Sequence, residues 1–184
     1  TIDVKNNKTK IHSSSAESFK VTLVDTGLNT KTAGRLKRVK DYIGNNTFML
    51  TYGDGLIDID INKLIKFHRS HTKIATVTTV VPEGKFGSIT ADKLNVVESF
   101  MEKPVNSGSW INAGYFVLEP SVFNYLNGDM DEIMWEDSPL NSLTNDRELV
   151  AYRYSGFWKC MDAVRDKDEL NELWDKGTAK WKNW

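Results

Sequence analysis

Two lone aspartates in this chain stand where apolar runs stop, each placed to meet a ligand. The first lies in Phe48-Met49-Leu50-Thr51-Tyr52-Gly53-Asp54-Gly55, where residues 47–52 are β-prone and two glycines bracket Asp54. A strand that stops in Gly-Asp-Gly leaves its carboxylate at the carboxyl end, where open α/β sheets bind ligands. The glycines let the backbone approach a phosphate or sugar without a Cβ in the way. Such a carboxylate suits Mg²⁺, a hard cation that takes one or two carboxylates plus substrate phosphate oxygens. A tight turn is the plain alternative, because Gly and Asp favour turns on conformational grounds alone.

Three further segments could serve a site. Phe100-Met101-Glu102-Lys103-Pro104 ends a strand in an acid–base pair, and Ile111-Asn112-Ala113-Gly114-Tyr115 opens another with an amide beside small residues. Phe157-Trp158-Lys159-Cys160-Met161-Asp162 delivers the second lone aspartate after a bulky stretch. A surface salt bridge, a turn amide and a helix N-cap would explain these three one by one. Taken in chain order they form a set.

The elements that must position this set are read from periodicity. Residues 1–18 are polar, with a turn at Asn6-Asn7-Lys8 and a loop at Ser13-Ser14-Ser15. Lys20 to Val24 reads as a strand ended by Asp25-Thr26-Gly27, followed by a loop over 28–34. Leu36, Val39, Lys40 and Ile43 fall at helical spacing over 35–43, with Gly44 as the stop. After the 47–52 strand, Asp60 caps a helix carrying Ile61, Leu64, Ile65 and His68 and reaching His71. Residues 74–81 are an unbroken β-branched run, the pattern of a strand buried on both faces. Strands are expected at 86–90, 95–101, 112–118 and 149–154, with helices at 121–126, 136–144 and 166–175. This is one α/β domain over 1–184, with a mixed central sheet and a small antiparallel extension. His12, His68 and His71 read as ordinary loop, stripe-edge and helix-end residues.

Composition narrows the partners. The 184 residues carry 24 basic and 25 acidic side chains for a net charge of −1, so nothing points to nucleic acid or an anionic membrane. A single cysteine, Cys160, forms no internal disulfide and fits a reducing, cytoplasmic setting. No apolar run approaches the roughly 18 residues of a membrane span. Three of the six tryptophans, Trp174, Trp181 and Trp184, crowd the last residues and read as a tail packed on the domain or on another subunit. A homo-oligomer is compatible with that tail.

The ordered set resembles the sugar-1-phosphate nucleotidyltransferase family, and within it the glucose-1-phosphate cytidylyltransferase branch of bacterial surface-polysaccharide pathways. The matching stretches are VTLVDTG (21–27), GRLKRV (34–39), TYGDG (51–55), FGSI (86–89), SFMEKP (99–104), INAGYFVL (111–118), GFWKCMD (156–162) and LWDKGTAKWKNW (173–184). The resemblance implies a Rossmann-like nucleotidyltransferase fold and the reaction of CTP with glucose 1-phosphate to give CDP-glucose and pyrophosphate. It implies that Asp54 and Asp162 hold Mg²⁺ and that Gly53 lies against substrate. Thr30 and Arg35 would contact nucleotide, Glu102 and Asn112 would bond glucose hydroxyls, and Lys103 would sit near the sugar phosphate. Two carboxylates for one metal, a cation for phosphate, and a carboxylate with an amide for hydroxyls are chemically apt.

The resemblance also implies a departure. The family opens on a strand leading into a Gly-rich loop that wraps the triphosphate, with a lysine soon after. Residue 1 lies beyond that region, so the expectation is a chain missing its N-terminal strands and catalytically inactive alone. Two other functions compete. One is a non-catalytic sugar-phosphate-binding or assembly module of the same fold. The other is a nucleotide-sugar glycosyltransferase, from the Asp-x-Asp spacing of Asp58 and Asp60. The latter ranks last, since Asp60 reads as an N-cap and Asp58 as a solvated turn residue.

Overall fold

Four strands form the central sheet, and their order explains the long β-branched run at its middle. A computed structural model of the chain describes residues 1–6, 8–10, 20–82, 88–101 and 109–182. It opens on an exposed hairpin of β1 (Ile2–Asp3) and β2 (Lys8–Thr9). Then come α1 (Thr32–Arg38), α2 (Lys40–Ile43), β3 (Phe48–Thr51), β4 (Gly55–Ile57) and α3 (Ile61–Ser70). Strands β5 (Ala75–Val80), β6 (Ser88–Ala91), β7 (Val97–Met101) and β8 (Ile111–Leu118) follow. A 3₁₀ turn (Pro120–Tyr125), α4 (Ser138–Asn145), β9 (Leu149–Arg153), β10 (Trp158–Cys160) and α5 (Val164–Asp175) complete the order.

The central sheet runs β3-β8-β5-β9. Strand β8 is antiparallel to both β3 and β5, whereas β5 and β9 are parallel, so the sheet is mixed as expected. Both faces are covered. Ala75, Val77, Phe116 and Leu118 join one core with Leu36, Val122, Trp135 and Leu143. Ala113, Val117 and Val80 join the other with Ile57, Ile59 and Leu64 of α3. Alternate residues of β8 thus serve opposite cores, as the two-residue period of a strand requires. Strands β6 and β7 form a separate antiparallel hairpin, the predicted extension.

Two expectations are corrected. No strand forms over Lys20–Val24: the segment has no regular structure, and Leu23 is 92% exposed. β-prone residues need a partner ladder, and no described strand lies beside these. The helix expected over 35–43 starts earlier, at Thr32, and breaks at Val39 into α1 and α2. Gly34, taken for a loop residue, sits inside α1 because the helix packs too closely for a side chain. A Cβ there would lie 2.6 Å from Thr30 Cγ2 and 2.9 Å from the Met130 carbonyl. Gly44 ends α2 at φ 72°, as read.

Local chemistry elsewhere follows the sequence. The Asp60 carboxylate accepts from the Asn62 and Lys63 amides at 2.9 and 3.2 Å and caps α3. In the tail, Trp181 stacks on Phe157 with ring centroids 5.5 Å apart, so this part packs on the domain. Trp184 lies outside the described residues.

Candidate active site

A cavity of about 640 Å³ opens between α1, the end of β3 and the turn before α4. Helix α1 contributes Thr32, Arg35 and Leu36, with Val39 just beyond it. The β3 end contributes Leu50 to Asp54, and the turn contributes Met134, Trp135 and Glu136. Its walls are mainly apolar, with a few polar groups converging on them, the composition of a small-molecule site. The indole N–H of Trp135 is buried in this wall with no acceptor among the described residues.

Asp54 and Gly53 lie on the cavity rim. Strands β4 and β10 pair antiparallel with Gly55 opposite Cys160, and the Met161 amide donates to the Asp54 carbonyl at 2.7 Å. This pairing joins segments a hundred residues apart and brings Asp54 beside the stretch that carries Asp162. Both aspartates are exposed. The Cys160 thiol donates to Asp162 Oδ2 at 2.9 Å.

The plain alternatives for these aspartates leave a recognisable mark, and it is missing. Turn aspartates in this chain bind the amide two residues on: Asp25 takes Gly27 N–H at 2.8 Å and Asp92 takes Leu94 N–H at 2.8 Å. Asp54 has no side-chain hydrogen bond among the described residues. Neither bracketing glycine has positive φ. A Cβ on Gly53 would meet nothing within 4 Å, and one on Gly55 would make only ordinary contacts, the nearest at 3.5 Å. The turn therefore does not demand its glycines. Asp162 is no N-cap either: α5 is capped at Ala163, whose amide donates to Asp166 Oδ2 at 3.0 Å.

Arg35 is anchored by donation to Thr26 Oγ1 at 2.7 Å and to the Leu28 carbonyl at 3.2 Å. That leaves the other guanidinium N–H groups for a ligand at the cavity. Thr30 does not line the cavity. It is buried, and its hydroxyl accepts from Arg38, which also donates to the Thr26 carbonyl and pairs with Asp131 at 2.6 Å. Thr30 thus shapes the loop that leads into α1 and anchors Arg35. Asn112, half-buried in β8, accepts from the Gly114 amide at 2.8 Å and donates to the Tyr52 hydroxyl at 3.2 Å. Glu102 and Lys103 lie outside the described residues.

Sequence reasoning missed Tyr52 and Glu136. The Tyr52 hydroxyl donates to Glu136 Oε1, and Thr32 donates to Glu136 Oε2 at 3.4 Å. Burial, then donation to Glu136, holds the Tyr52 hydroxyl well above its ordinary pKa, so it stays a donor. Tyr52 stood inside the quoted TYGDG stretch as a strand residue, and Glu136 was expected in the first turn of a helix.

The Asp-x-Asp pair is structural. Asp60 caps α3, while Asp58 is half-buried and accepts from the Tyr154 hydroxyl, so it is not the solvated turn residue expected. No helix among the described residues is long and apolar enough to cross a membrane.

Comparison with known proteins gives a consistent picture. A family profile described as nucleotidyl transferase matches residues 4–159. The glucose-1-phosphate cytidylyltransferase of Salmonella typhimurium is 45% identical over 185 residues, covering 100% of this chain and 71% of that protein. The UTP–glucose-1-phosphate uridylyltransferase of Synechocystis is 29% identical over 178 residues, 85% of this chain and 46% of that one. Among solved structures, an apo UDP-glucose pyrophosphorylase superposes with a TM-score of 0.58 at 18% identity, covering 83% of this chain and 62% of its own.

Proposed function

This chain belongs to the nucleotidyl transferase family, and on that premise we propose that the full-length protein catalyses cytidylyl transfer to glucose 1-phosphate. A phosphate oxygen of glucose 1-phosphate attacks the α-phosphorus of CTP. The bond from that phosphorus to the bridging oxygen breaks, and pyrophosphate leaves as CDP-glucose forms. Identity of 45% along the whole chain to a cytidylyltransferase supports the choice of substrates. The observation that carries the reading is the β4–β10 pairing, which brings Asp54, on the rim of a ligand-sized cavity, beside the stretch that carries the exposed Asp162.

Phosphoryl transfer of this kind rests on positioning and charge neutralisation, not on a protein nucleophile. Asp54 and Asp162 fit a Mg²⁺ ion. They are two exposed carboxylates, and no cluster of three or more His, Cys, Asp or Glu that could hold a metal exists among the described residues. That donor set suits an ion that keeps water and substrate phosphate in its shell. When bound, the ion would neutralise phosphate charge. Arg35 supplies a fixed cation for the nucleotide, held by Thr26 and the loop that Thr30 and Arg38 brace. Gly53 gives the sugar phosphate close access to backbone. Asn112 and Glu102 take sugar hydroxyls, and Lys103 takes its phosphate.

The test is pyrophosphate release by the full-length protein from glucose 1-phosphate and Mg²⁺ with CTP, UTP or dTTP in turn. Preference for CTP is expected. Preference for another triphosphate would overturn the base assignment, and hydrolysis of CDP-glucose without pyrophosphorolysis would overturn the reaction class.

A further inference from the structure

We propose that Glu136 is a positioning residue for the sugar-phosphate subsite, acting through the Tyr52 hydroxyl to fix the side-chain amide of Asn112. The proposal rests on the cytidylyltransferase reading for Asn112 as a sugar contact. The roles of Tyr52 and Glu136 come from the bonding itself.

The chain of bonds has only one direction. The Gly114 amide can only donate, so the Asn112 atom it meets at 2.8 Å is the oxygen. Its other end is therefore the NH₂ group, 3.2 Å from the Tyr52 hydroxyl. A carboxylate can only accept, so Tyr52 gives its proton to Glu136 and accepts from Asn112. The order is Asn112 N–H to Tyr52 O–H to the Glu136 carboxylate. Each bond polarises the next, and the amide cannot flip without breaking two of them.

The middle and the carboxylate end of this relay are held in place. The Tyr52 amide donates to the Gly114 carbonyl at 2.9 Å. The Tyr52 ring lies where a Gly114 side chain would be, 2.8 Å from an added Cβ. Glu136 follows Trp135, which is 1% exposed and whose amide donates to Thr32 Oγ1 at 2.7 Å. Glu136 makes no ion pair among the described residues, so its carboxylate serves as an acceptor. Asn112 keeps one N–H and one oxygen lone pair for a ligand, a donor and an acceptor on one planar group. A sugar hydroxyl, which both donates and accepts, matches that pair.

The experiment compares Glu136→Ala, Glu136→Gln, Tyr52→Phe and the Ala/Phe double variant in the full-length protein. Binding of glucose 1-phosphate is measured by calorimetry, beside steady-state KM values for both substrates. Glu136→Ala and Tyr52→Phe should each weaken glucose 1-phosphate binding roughly tenfold, the scale of one lost hydrogen bond to a charged group. KM for CTP should stay within about twofold, since a uniform change would point to general disorder. Glu136→Gln should recover most of the loss, because its amide oxygen still accepts from Tyr52. The double variant should be no worse than either single one. Additive losses, an equal rise in KM for CTP, or unchanged binding in Tyr52→Phe would overturn the relay. Tyr52→Phe removes one hydroxyl, so it decides the matter even if Glu136→Ala misfolds. Wild-type binding of glucose 1-phosphate without turnover would refute the reaction but leave the relay to be judged by binding. No wild-type binding would refute the relay.

Discussion

Replacing Gly53 and Gly114 in turn by alanine should separate what the fold needs from what a ligand needs. Gly53 has ordinary φ, and its added Cβ would meet nothing within 4 Å. Gly53→Ala should therefore leave stability unchanged or raise it by about 0.4–1 kcal/mol, through the lower entropy of the unfolded chain. If a phosphate or sugar lies against this backbone, the same methyl displaces it. A displacement of about 1 Å can cost roughly a hundredfold in rate. Gly114 differs on both counts: φ is +80°, and its Cβ would lie 2.8 Å from Tyr52 Cδ2 and 3.1 Å from Cγ. Left-handed backbone costs about 1–2 kcal/mol for a residue with a Cβ, and overpacking adds about 1–3. The total of roughly 2–5 kcal/mol should lower Tm by about 5–20 °C in a chain of this size. Differential scanning calorimetry with pyrophosphate release on the same samples reads both. A fully active Gly53→Ala would refute close approach of substrate there, and a melting loss in Gly53→Ala would restore the plain turn reading. A Gly114→Ala as stable as wild type would refute the packing argument.

Asp54→Asn and Asp162→Asn should each lower Mg²⁺-dependent turnover by at least about a hundredfold with little change in Tm, since both groups are exposed. The pair should be no worse than the weaker single variant, and full activity of either at saturating Mg²⁺ refutes its role. Glu102→Gln should raise KM for glucose 1-phosphate roughly tenfold or more while sparing KM for CTP, and an equal effect on both would mark Glu102 as structural. Acid should destabilise the protein through His71. Its Nδ1 accepts from the Lys73 amide at 3.3 Å, and its Nε2 donates to Thr76 Oγ1 at 2.9 Å. Thr76 then donates to His68 Nδ1 at 2.7 Å, and His68 Nε2 donates to Glu119 at 3.1 Å. Burial first, then the neighbouring His68 and Lys73, lowers the His71 pKa, so the unfolded chain binds the proton more readily. Stability should be full above the ordinary histidine pKa of about 6.5 and fall as pH drops through it toward the lowered folded value. Urea unfolding from pH 8 to 5 checks this, and a His71→Asn variant that loses stability just as steeply would refute it.

What the sequence made legible was local. The Asp60 cap, the Gly44 stop and the β5 run each depend on residues within a few positions, and each is where it was read. The β4–β10 pairing was not legible, because Gly55–Ile57 and Trp158–Cys160 are three-residue strands whose partner choice depends on the rest of the fold. Glu136 was missed for a local reason that could have been caught. The helix expected over 136–144 starts at Ser138, with Pro139 in its first turn. Proline belongs in that first turn, so its position alone argues for a later start and frees Glu136 to face α1.

The same local chemistry can be turned around to find functional residues. A carboxylate that shapes the backbone shows it by accepting an amide proton. Asp25, Asp92 and Asp129 do so in turns, Asp60 and Asp166 at helix starts. Asp58 shows it differently, by accepting from the Tyr154 hydroxyl. Among the described residues Asp54 has no such bond, and Asp162 accepts from the neighbouring thiol and from no backbone amide. Two exposed carboxylates on neighbouring segments, neither bound to a backbone amide among the described residues, keep their oxygens available to ligate. A hard cation that takes one or two carboxylates plus substrate phosphate oxygens uses such groups, and that is the physical reason to propose one there.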